Sequence, residues 1–216
     1  MDELPQELLR RQDETPDERF YEQPRLLAHI DDFAIAALGR FVASLIPTGG
    51  EVLDLMSAYL SHLPEDTLAR CRRVAGLGMN EQELAANRQL TDSLVHDLNR
   101  DPRLPYADET FDVVLCTVSV QYLLHPIAVF ADVARVLRPD GPFVVSFSNR
   151  CFPTKAIAAW LYADDAAHGA LVRAYFERSG GWQKVSVVDL SPNPGQSDPL
   201  YAVWARKQNG AAAPAA

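Results

Sequence analysis

Residues 52–64 read Val-Leu-Asp-Leu-Met-Ser-Ala-Tyr-Leu-Ser-His-Leu-Pro, and the rest of the chain is organised around them. An apolar run ends in Asp54, a turn of small and polar residues follows, and Pro64 opens a helix signal. This order predicts a first β-strand that feeds a nucleotide-type binding loop. The loop nevertheless lacks the glycines that such loops carry, so its ability to hold a ligand becomes the central question.

Hydrophobic periodicity extends this reading in both directions. A helix is expected from Phe33 to Leu45, a strand over 51–55, and a helix from Pro64 to about Arg73. The remaining predictions are strands at 74–77, 94–96, 111–118 and 142–147, helices at 81–88 and 126–137, helical pieces over about 154–178, and an antiparallel pair at 184–190 and 200–206. Strands that alternate with helices predict a parallel sheet covered on both faces, with its ligand crevice at the carboxyl ends of the strands.

The domain organisation follows from composition along the chain. With 216 residues, one domain is expected. Residues 1–18 are charged and aperiodic and are predicted to form a mobile acidic N-terminal arm, or a helix that orders only against another surface. Residues 19–207 form the domain, with residues 19–46 as its lid segment, and residues 208–216 are expected to be a disordered tail.

Composition and charge also exclude classes of partner. A net charge of -9 without basic clusters argues against nucleic acid. Neither a long apolar run nor a secretory signal is visible, so no membrane partner is expected. Cys71, Cys116 and Cys151 are scattered and show no disulfide or metal-ligand spacing, so no metal is predicted and a reducing cytoplasm is the expected location.

Four blocks of sequence carry a family resemblance. They are residues 52–55, residues 104–108 with 111–114, residues 129–142, and residues 199–206. The third contains Arg138-Pro139-Asp140-Gly141, where the family usually has Arg-Pro-Gly-Gly. Residues 19–207 thus resemble the class I S-adenosylmethionine-dependent methyltransferases of the type 11 group, in a divergent branch. The resemblance implies a Rossmann-like three-layer α/β sandwich with a mostly parallel seven-stranded sheet and an antiparallel last strand.

Two departures from the family pattern concern the cofactor loop and the second strand. The usual glycine positions of the loop are Met56, Ala58 and Leu60, and the acid that usually holds both ribose hydroxyls is replaced by Gly78. Asn80 could supply a weaker substitute for that acid. It also forms a capping-box pattern with Glu83 at the start of the helix predicted over 81–88.

The resemblance implies S-adenosylmethionine as the cofactor and assigns a set of residues to it. The expected cofactor-binding residues are Asp54, Met56, Ser57, Ser61, His62, Gly78, Met79, Asn80, Asp97, Leu98, Thr117 and Val118. Asp54 would organise the loop and the cofactor's amino end, and Asp97 would hold the adenine amino group. The alternatives are structural. Asp54 would cap the amides of the next loop, and Asp97 would only start a turn. The hydroxyls of Ser57 and Ser61 would stabilise the turn, and His62 would be satisfied within the loop.

The acceptor side is expected to combine the lid segment with the ends of the fourth and fifth strands. Tyr21, His29 and Tyr122 are the candidate catalytic residues. Arg25, Gln121, Asn149 and Arg150 are the candidate substrate-binding residues. Aromatic packing and a charged amphipathic helix are the structural alternatives for these positions.

The function expected from the resemblance is methyl transfer to a small-molecule acceptor, with a small thiol as one acceptor. The sequence shows no dedicated base, which favours an acceptor that is already anionic or ionises easily. One alternative is a non-catalytic binding protein that kept the fold and lost the cofactor. A dinucleotide-dependent oxidoreductase is disfavoured, because no Gly-x-Gly-x-x-Gly opens a helix. A monomer or a homodimer fits the sequence equally well.

Overall fold

The computed structural model describes residues 4–210. Its strands are β1 (Glu51–Ser57), β2 (Arg73–Gly78), β3 (Asp92–Val95), β4 (Val113–Thr117), β5 (Pro142–Phe147), β6 (Ser186–Asp189) and β7 (Tyr201–Arg206). Its helices are α1 (Gln6–Leu9), α2 (Asp17–Phe20), α3 (Asp32–Ala43), α4 (Glu65–Arg70), α5 (Glu81–Ala86), α6 (Pro126–Val136), α7 (Ala158–Leu161) and α8 (Asp165–Ser179). Within residues 4–210, no helix has both the length and the apolar character needed to cross a bilayer.

All seven strands form one sheet in the order β3-β2-β1-β4-β5-β7-β6. The pairs from β3 through β5 are parallel, and β7 runs antiparallel to both β5 and β6. The expected fold class is therefore confirmed. The third strand begins two residues earlier than the sequence predicts. Its side chains are exposed at the sheet edge, so burial leaves only a weak periodic signal there.

Alternating side chains of the central strands bury both faces of the sheet. Leu53 on β1 joins a cluster that includes Phe130 of α6 and Phe176 of α8. Val52, one position earlier, joins the opposite cluster with Leu38 of α3. Burial on both faces is the property expected of parallel strands. It fixes the carboxyl ends of β1 and its neighbours as a rigid platform.

The N-terminal arm differs from its expectation. Over residues 4–18 it packs onto the domain: Leu4 is buried, and the backbone N–H of Asp13 donates to the carbonyl of Thr154 at 2.8 Å. Lys155 is completely buried between the carboxylates of Asp13 and Asp17, at 3.3 and 3.2 Å. The predicted mobile arm is wrong for this part, because its charges have partners far away in the sequence. Residues 1–3 lie outside the described residues, as do residues 211–216 of the expected tail.

The end of β2 accepts no side chain, which leads to a testable prediction. A Cβ at Gly78 would overlap the carbonyl oxygen of Ser57 on β1. Gly78→Ala is expected to lower the free energy of unfolding by about 1–3 kcal/mol, because two paired backbones must separate. Gly169→Ala on α8 is the control, since a Cβ there meets only the side chain of Val187, at 3.3 Å. Urea denaturation measures both, and equal stability of the two variants would contradict this steric reading.

Candidate active site

A cavity of about 520 Å³ opens at the carboxyl ends of β1, β2 and β4, beneath the lid segment. This size falls within the range of about 300–1,000 Å³ that is typical of small-molecule sites. Of the residues expected to act, those lining the cavity are Tyr21, Arg25, His29, Asp54, Met56, Ser57, His62, Gly78, Met79, Asp97, Leu98, Thr117, Val118, Tyr122 and Arg150. The structure thus brings most of the sequence-derived site to one place.

The loop after β1 is held by side chains. One carboxyl oxygen of Asp54, Oδ2, accepts hydrogen bonds from the hydroxyls of Ser57 at 2.6 Å and Ser61 at 2.7 Å. Asn87 donates to Ser61 Oγ at 3.0 Å and to the carbonyl of Ala58 at 2.9 Å. Burial raises the pKa of Asp54 to about 6, although both hydroxyl hydrogen bonds lower it. Ser61 therefore supports Asp54 from outside the cavity wall.

Three non-glycine residues on the cavity adopt left-handed backbone conformations. Met56, His62 and Val118 have φ of 58°, 59° and 47°. Such a conformation costs roughly 1–2 kcal/mol for a residue with a side chain, and it is rare for a β-branched residue such as Val118. The loop thus keeps turns that glycine normally makes, and the Asp54 hydrogen bonds hold it in that strained shape.

His62 is buried against the cavity without a hydrogen-bond partner. Its side chain is 6% exposed, and neither ring nitrogen has a partner among residues 4–210. Burial lowers the pKa of His62 to about 4, with a further contribution from nearby His29. A buried polar group without a partner normally has an explanation such as a bound ligand. This orphaned imidazole fits a site that binds a polar group.

At the end of β2, the predicted substitute for the ribose acid does not reach the cavity. Asn80 Oδ1 caps α5 by accepting from the N–H of Glu83 at 2.9 Å, and Asn80 Nδ2 donates to the carbonyl of Tyr21 at 2.7 Å. Glu83 lines the cavity instead and is 5% exposed. Its Oε1 accepts from the N–H of Arg25 at 2.6 Å, and burial raises its pKa.

Beyond β3, Asp97 and buried Leu98 lie on the cavity wall. Asp97 Oδ1 accepts from the N–H of Asn99 at 2.9 Å. The Asn99 amide donates to Asp17 Oδ2 at 2.8 Å and to the carbonyl of Tyr122 at 2.9 Å. Asn99, which sequence reasoning missed, therefore ties the N-terminal arm to the segment after β4.

Two of the three candidate catalytic residues contact one aromatic ring, that of Phe152. His29 contacts it edge-on at 5.6 Å and Tyr122 stacks on it at 6.0 Å. Tyr21 instead packs edge-on against Phe20 at 5.0 Å, and Phe20 contacts Phe152 at 5.3 Å. Burial raises the pKa of Tyr21 and raises that of Tyr122 to about 12. Burial lowers the pKa of His29. At neutral pH both phenols keep their protons, whereas the neutral imidazole can accept one.

The two arginines of the predicted acceptor site have different surroundings. Arg150 pairs with Asp198 at 2.8 Å. Arg25 stacks its guanidinium over Phe20 at 4.4 Å and over Phe152 at 5.0 Å. Within residues 4–210, Arg25 forms no ion pair, and its Nη1 has no hydrogen-bond partner. Arg25 is therefore a cavity cation without an ion-pair partner among the described residues, although its charge partly offsets the burial that raises the pKa of nearby Glu83.

Four of the expected site residues do not line the cavity. They are Ser61, Asn80, Gln121 and Asn149. Gln121 is buried and donates to the carbonyl of Val118 at 2.9 Å, while Asn149 is exposed to solvent. The additional polar residues that do line it are Asp17, Asp31, Glu83, His96, Asn99, Ser119, Cys151 and Asp198. The sequence places Asp31 in the lid segment and Cys151 at the end of the fifth strand, and the capping-box pattern assigns Glu83 a structural role.

Comparisons with known proteins agree with this site. A family model described as a methyltransferase domain matches residues 55–145. The chain is 26% identical over 152 residues to the biotin biosynthesis bifunctional protein BioHC of Teredinibacter turnerae, covering 68% of this chain and 26% of that protein. It is 28% identical over 142 residues to a malonyl-[acyl-carrier protein] O-methyltransferase of a Marinomonas species, covering 63% and 53%. The chain thus spans about a quarter and about half of the lengths of these relatives.

A solved structure shows the same architecture. An S-adenosylmethionine-dependent methyltransferase from Mesorhizobium loti superposes with a TM-score of 0.55 at 16% identity, covering 79% of this chain and 98% of that one. The cavity, its acidic side chains and the orphaned His62 fit a cofactor with several hydrogen-bond donors. Residues 55–145 therefore resemble a methyltransferase domain, and the chain shares the fold of S-adenosylmethionine-dependent methyltransferases.

Proposed function

We propose that this chain transfers a methyl group from S-adenosylmethionine to a small-molecule acceptor that binds beneath the lid segment and reacts as an anion, with a small thiolate as the first acceptor class. The observation that carries this proposal is the single cavity. Asp54 and Asp97 line it together with His29, Arg25 and Tyr122. A cofactor region and an acceptor region thus share one enclosure.

When bound, S-adenosylmethionine supplies a methyl group on a positively charged sulfur that a nucleophile can attack directly. The residues of this chain then need only to place the acceptor and exclude water. Such placement can contribute roughly 7–11 kcal/mol to lowering a barrier. Arg25 would attract and orient an anion, and Phe152 and Tyr122 would cover it. His29 could accept a proton from an acceptor that arrives neutral.

A carboxylate is the second acceptor class that the cavity favours. The guanidinium of Arg25 is planar and can donate two parallel hydrogen bonds to a carboxylate. One relative is named as an O-methyltransferase of malonyl-[acyl-carrier protein]. Thiolates and carboxylates are both negatively charged, and either could pair with Arg25, which forms no ion pair within residues 4–210. Both therefore belong in an acceptor screen.

The first experiment asks whether the cofactor site works. S-adenosylhomocysteine, titrated by calorimetry, is expected to bind, and at a hundred times its dissociation constant it should stabilise the fold by about 2.7 kcal/mol. If the titration gives no heat and the melting temperature does not shift, the result supports the alternative, a protein that kept the fold and lost the cofactor. With binding established, 2-mercaptoethanol, propanoate and ethanol can be compared as methyl acceptors. Faster methylation of ethanol than of the other two would contradict the anionic acceptor.

A further inference from the structure

The cavity acids differ in how far the described chain already satisfies them. Both oxygens of Asp17 are occupied, by Arg11, Asn99 and Lys155. Asp31 accepts from the N–H groups of Ala34 and Asp198 with separate oxygens. The carboxylate of Asp198 is taken by Arg150 and the N–H of Asp31. In these three acids, each oxygen already accepts a hydrogen bond from within the described chain.

Three other cavity acids each keep one oxygen without a hydrogen bond among residues 4–210. Asp54 uses Oδ2, Glu83 uses Oε1 and Asp97 uses Oδ1. Their second oxygens remain available to a donor. A carboxylate with a free oxygen is a strong acceptor for hydroxyl, amino and ammonium groups.

The order of these acids follows the order of the strands. Asp54 lies on β1, Glu83 lies on the helix after β2, and Asp97 follows β3, while the sheet order is β3-β2-β1. The donors of S-adenosylmethionine occur in a matching sequence: an ammonium at one end, the two ribose hydroxyls in the middle, and the adenine amino group at the other end. This order pairs the middle acid, Glu83, with the middle donors.

We propose that Glu83 of α5 holds the ribose hydroxyls of the cofactor, an inference that rests on the proposed function. The carboxylate comes from the first turn of a helix because Gly78 at the strand end has no room for a side chain. Only half of the expected capping box forms: Asn80 caps α5, but Glu83 turns away from the Asn80 N–H. Its side chain instead links the lid segment, through the Arg25 N–H, to the cavity.

This role for Glu83 can be tested by binding, independently of turnover. S-adenosylhomocysteine and its 2′-deoxy and 3′-deoxy analogues are titrated by calorimetry into the unaltered chain and into Glu83→Gln. In the unaltered chain, loss of a hydroxyl bound to a carboxylate is expected to weaken binding about tenfold or more. Glu83→Gln keeps the size of the side chain. In this variant S-adenosylhomocysteine should bind more weakly, and the loss of affinity caused by removing a ribose hydroxyl, the deoxy penalty, should fall below about threefold.

Matched controls separate the outcomes. Glu81→Gln removes an exposed acid from the same helix and should keep the full deoxy penalty. Melting without ligand shows whether the Glu83 variant is folded. A full penalty in folded Glu83→Gln, or no penalty in the unaltered chain, would overturn the role of Glu83 while leaving the methyltransferase proposal intact. No binding of S-adenosylhomocysteine to the unaltered chain would overturn both.

Discussion

Asp54→Asn is expected to weaken S-adenosylhomocysteine binding by at least about 100-fold at pH 7.5. Asp54 is 3% exposed and lines the cavity, and the family resemblance assigns it to the cofactor's ammonium end. The amide has the same shape but no charge, so a buried ammonium would lose its counter-ion. It could also place an N–H where the hydroxyls of Ser57 and Ser61 now donate. Calorimetry measures the change in affinity.

A second variant and a pH series make this expectation specific. Glu65→Gln removes the same charge from the exposed start of α4 and should leave binding within about twofold. Unaltered affinity in Asp54→Asn, with the fold intact by circular dichroism, would show that the ammonium end lies elsewhere. It would also remove the main support for a cofactor orientation with the ammonium near Asp54 and the ribose near Glu83.

The pH dependence follows from the raised pKa of Asp54. Its value of about 6 lies above the ordinary value of 3.8, because burial disfavours the charged form. An acid with a raised pKa favours the folded state while it is protonated, and that contribution disappears as the pH rises through about 6. The ammonium needs the ionised form, so affinity should rise between pH 5 and 7 and then level off. Asp54→Asn should lose this dependence.

The architecture was readable from the sequence because buried parallel strands leave a strong signal. Apolar runs such as the one ending at Asp54 are bounded by turn residues. The helices predicted between consecutive runs leave few possible topologies for the sheet. The carboxyl ends of such strands meet at one edge, so Asp54 and Asp97 could be placed on one crevice before any coordinates. The exposed edge strand β3 carries no such signal, and its predicted boundaries were accordingly displaced.

The details that sequence reasoning missed depend on contacts between distant parts of the chain. The N-terminal arm looked mobile because its composition is charged, yet Asp17 meets Asn99, 82 positions away. Local spacing correctly predicted Asn80 as a helix cap. It could not show that the Asn80 side-chain amide also donates to the Tyr21 carbonyl, so that the amide does not reach the cavity. Glu83 likewise fitted a local motif, and only the position of Arg25 shows that its carboxylate points elsewhere.

The packed N-terminal arm also has a characteristic acid response. Burial alone would raise the pKa of Asp17, but hydrogen bonds from Arg11 and Asn99 and the charge of Arg11 bring the pKa below its ordinary value. A lowered carboxyl pKa stabilises the fold above about pH 4, and this stabilisation is lost as the pH falls through the folded-state value. The arm is therefore expected to loosen in acid before the sheet does.

Lys155→Met is expected to lower the free energy of unfolding by about 3–5 kcal/mol. Lys155 is completely buried, and its ammonium lies 3.2 Å from Asp17 Oδ1 and 2.6 Å from the carbonyl of Thr15. Methionine fills similar space, so the loss reports the carbonyls left without a donor and Asp17, which then keeps Arg11 as a cationic partner but loses the second. Urea denaturation measures it, with Lys184→Met at an exposed position as the control.

The same variant tests whether the arm closes the cavity. Asp17 reaches Tyr122 through the Asn99 amide, so releasing the arm should also increase hydrogen exchange over residues 4–31 and weaken S-adenosylhomocysteine binding. If Lys155→Met costs less than about 1 kcal/mol and leaves exchange in the arm unchanged, apolar contacts such as that of Leu4 hold the arm, and the buried ionic cluster does not.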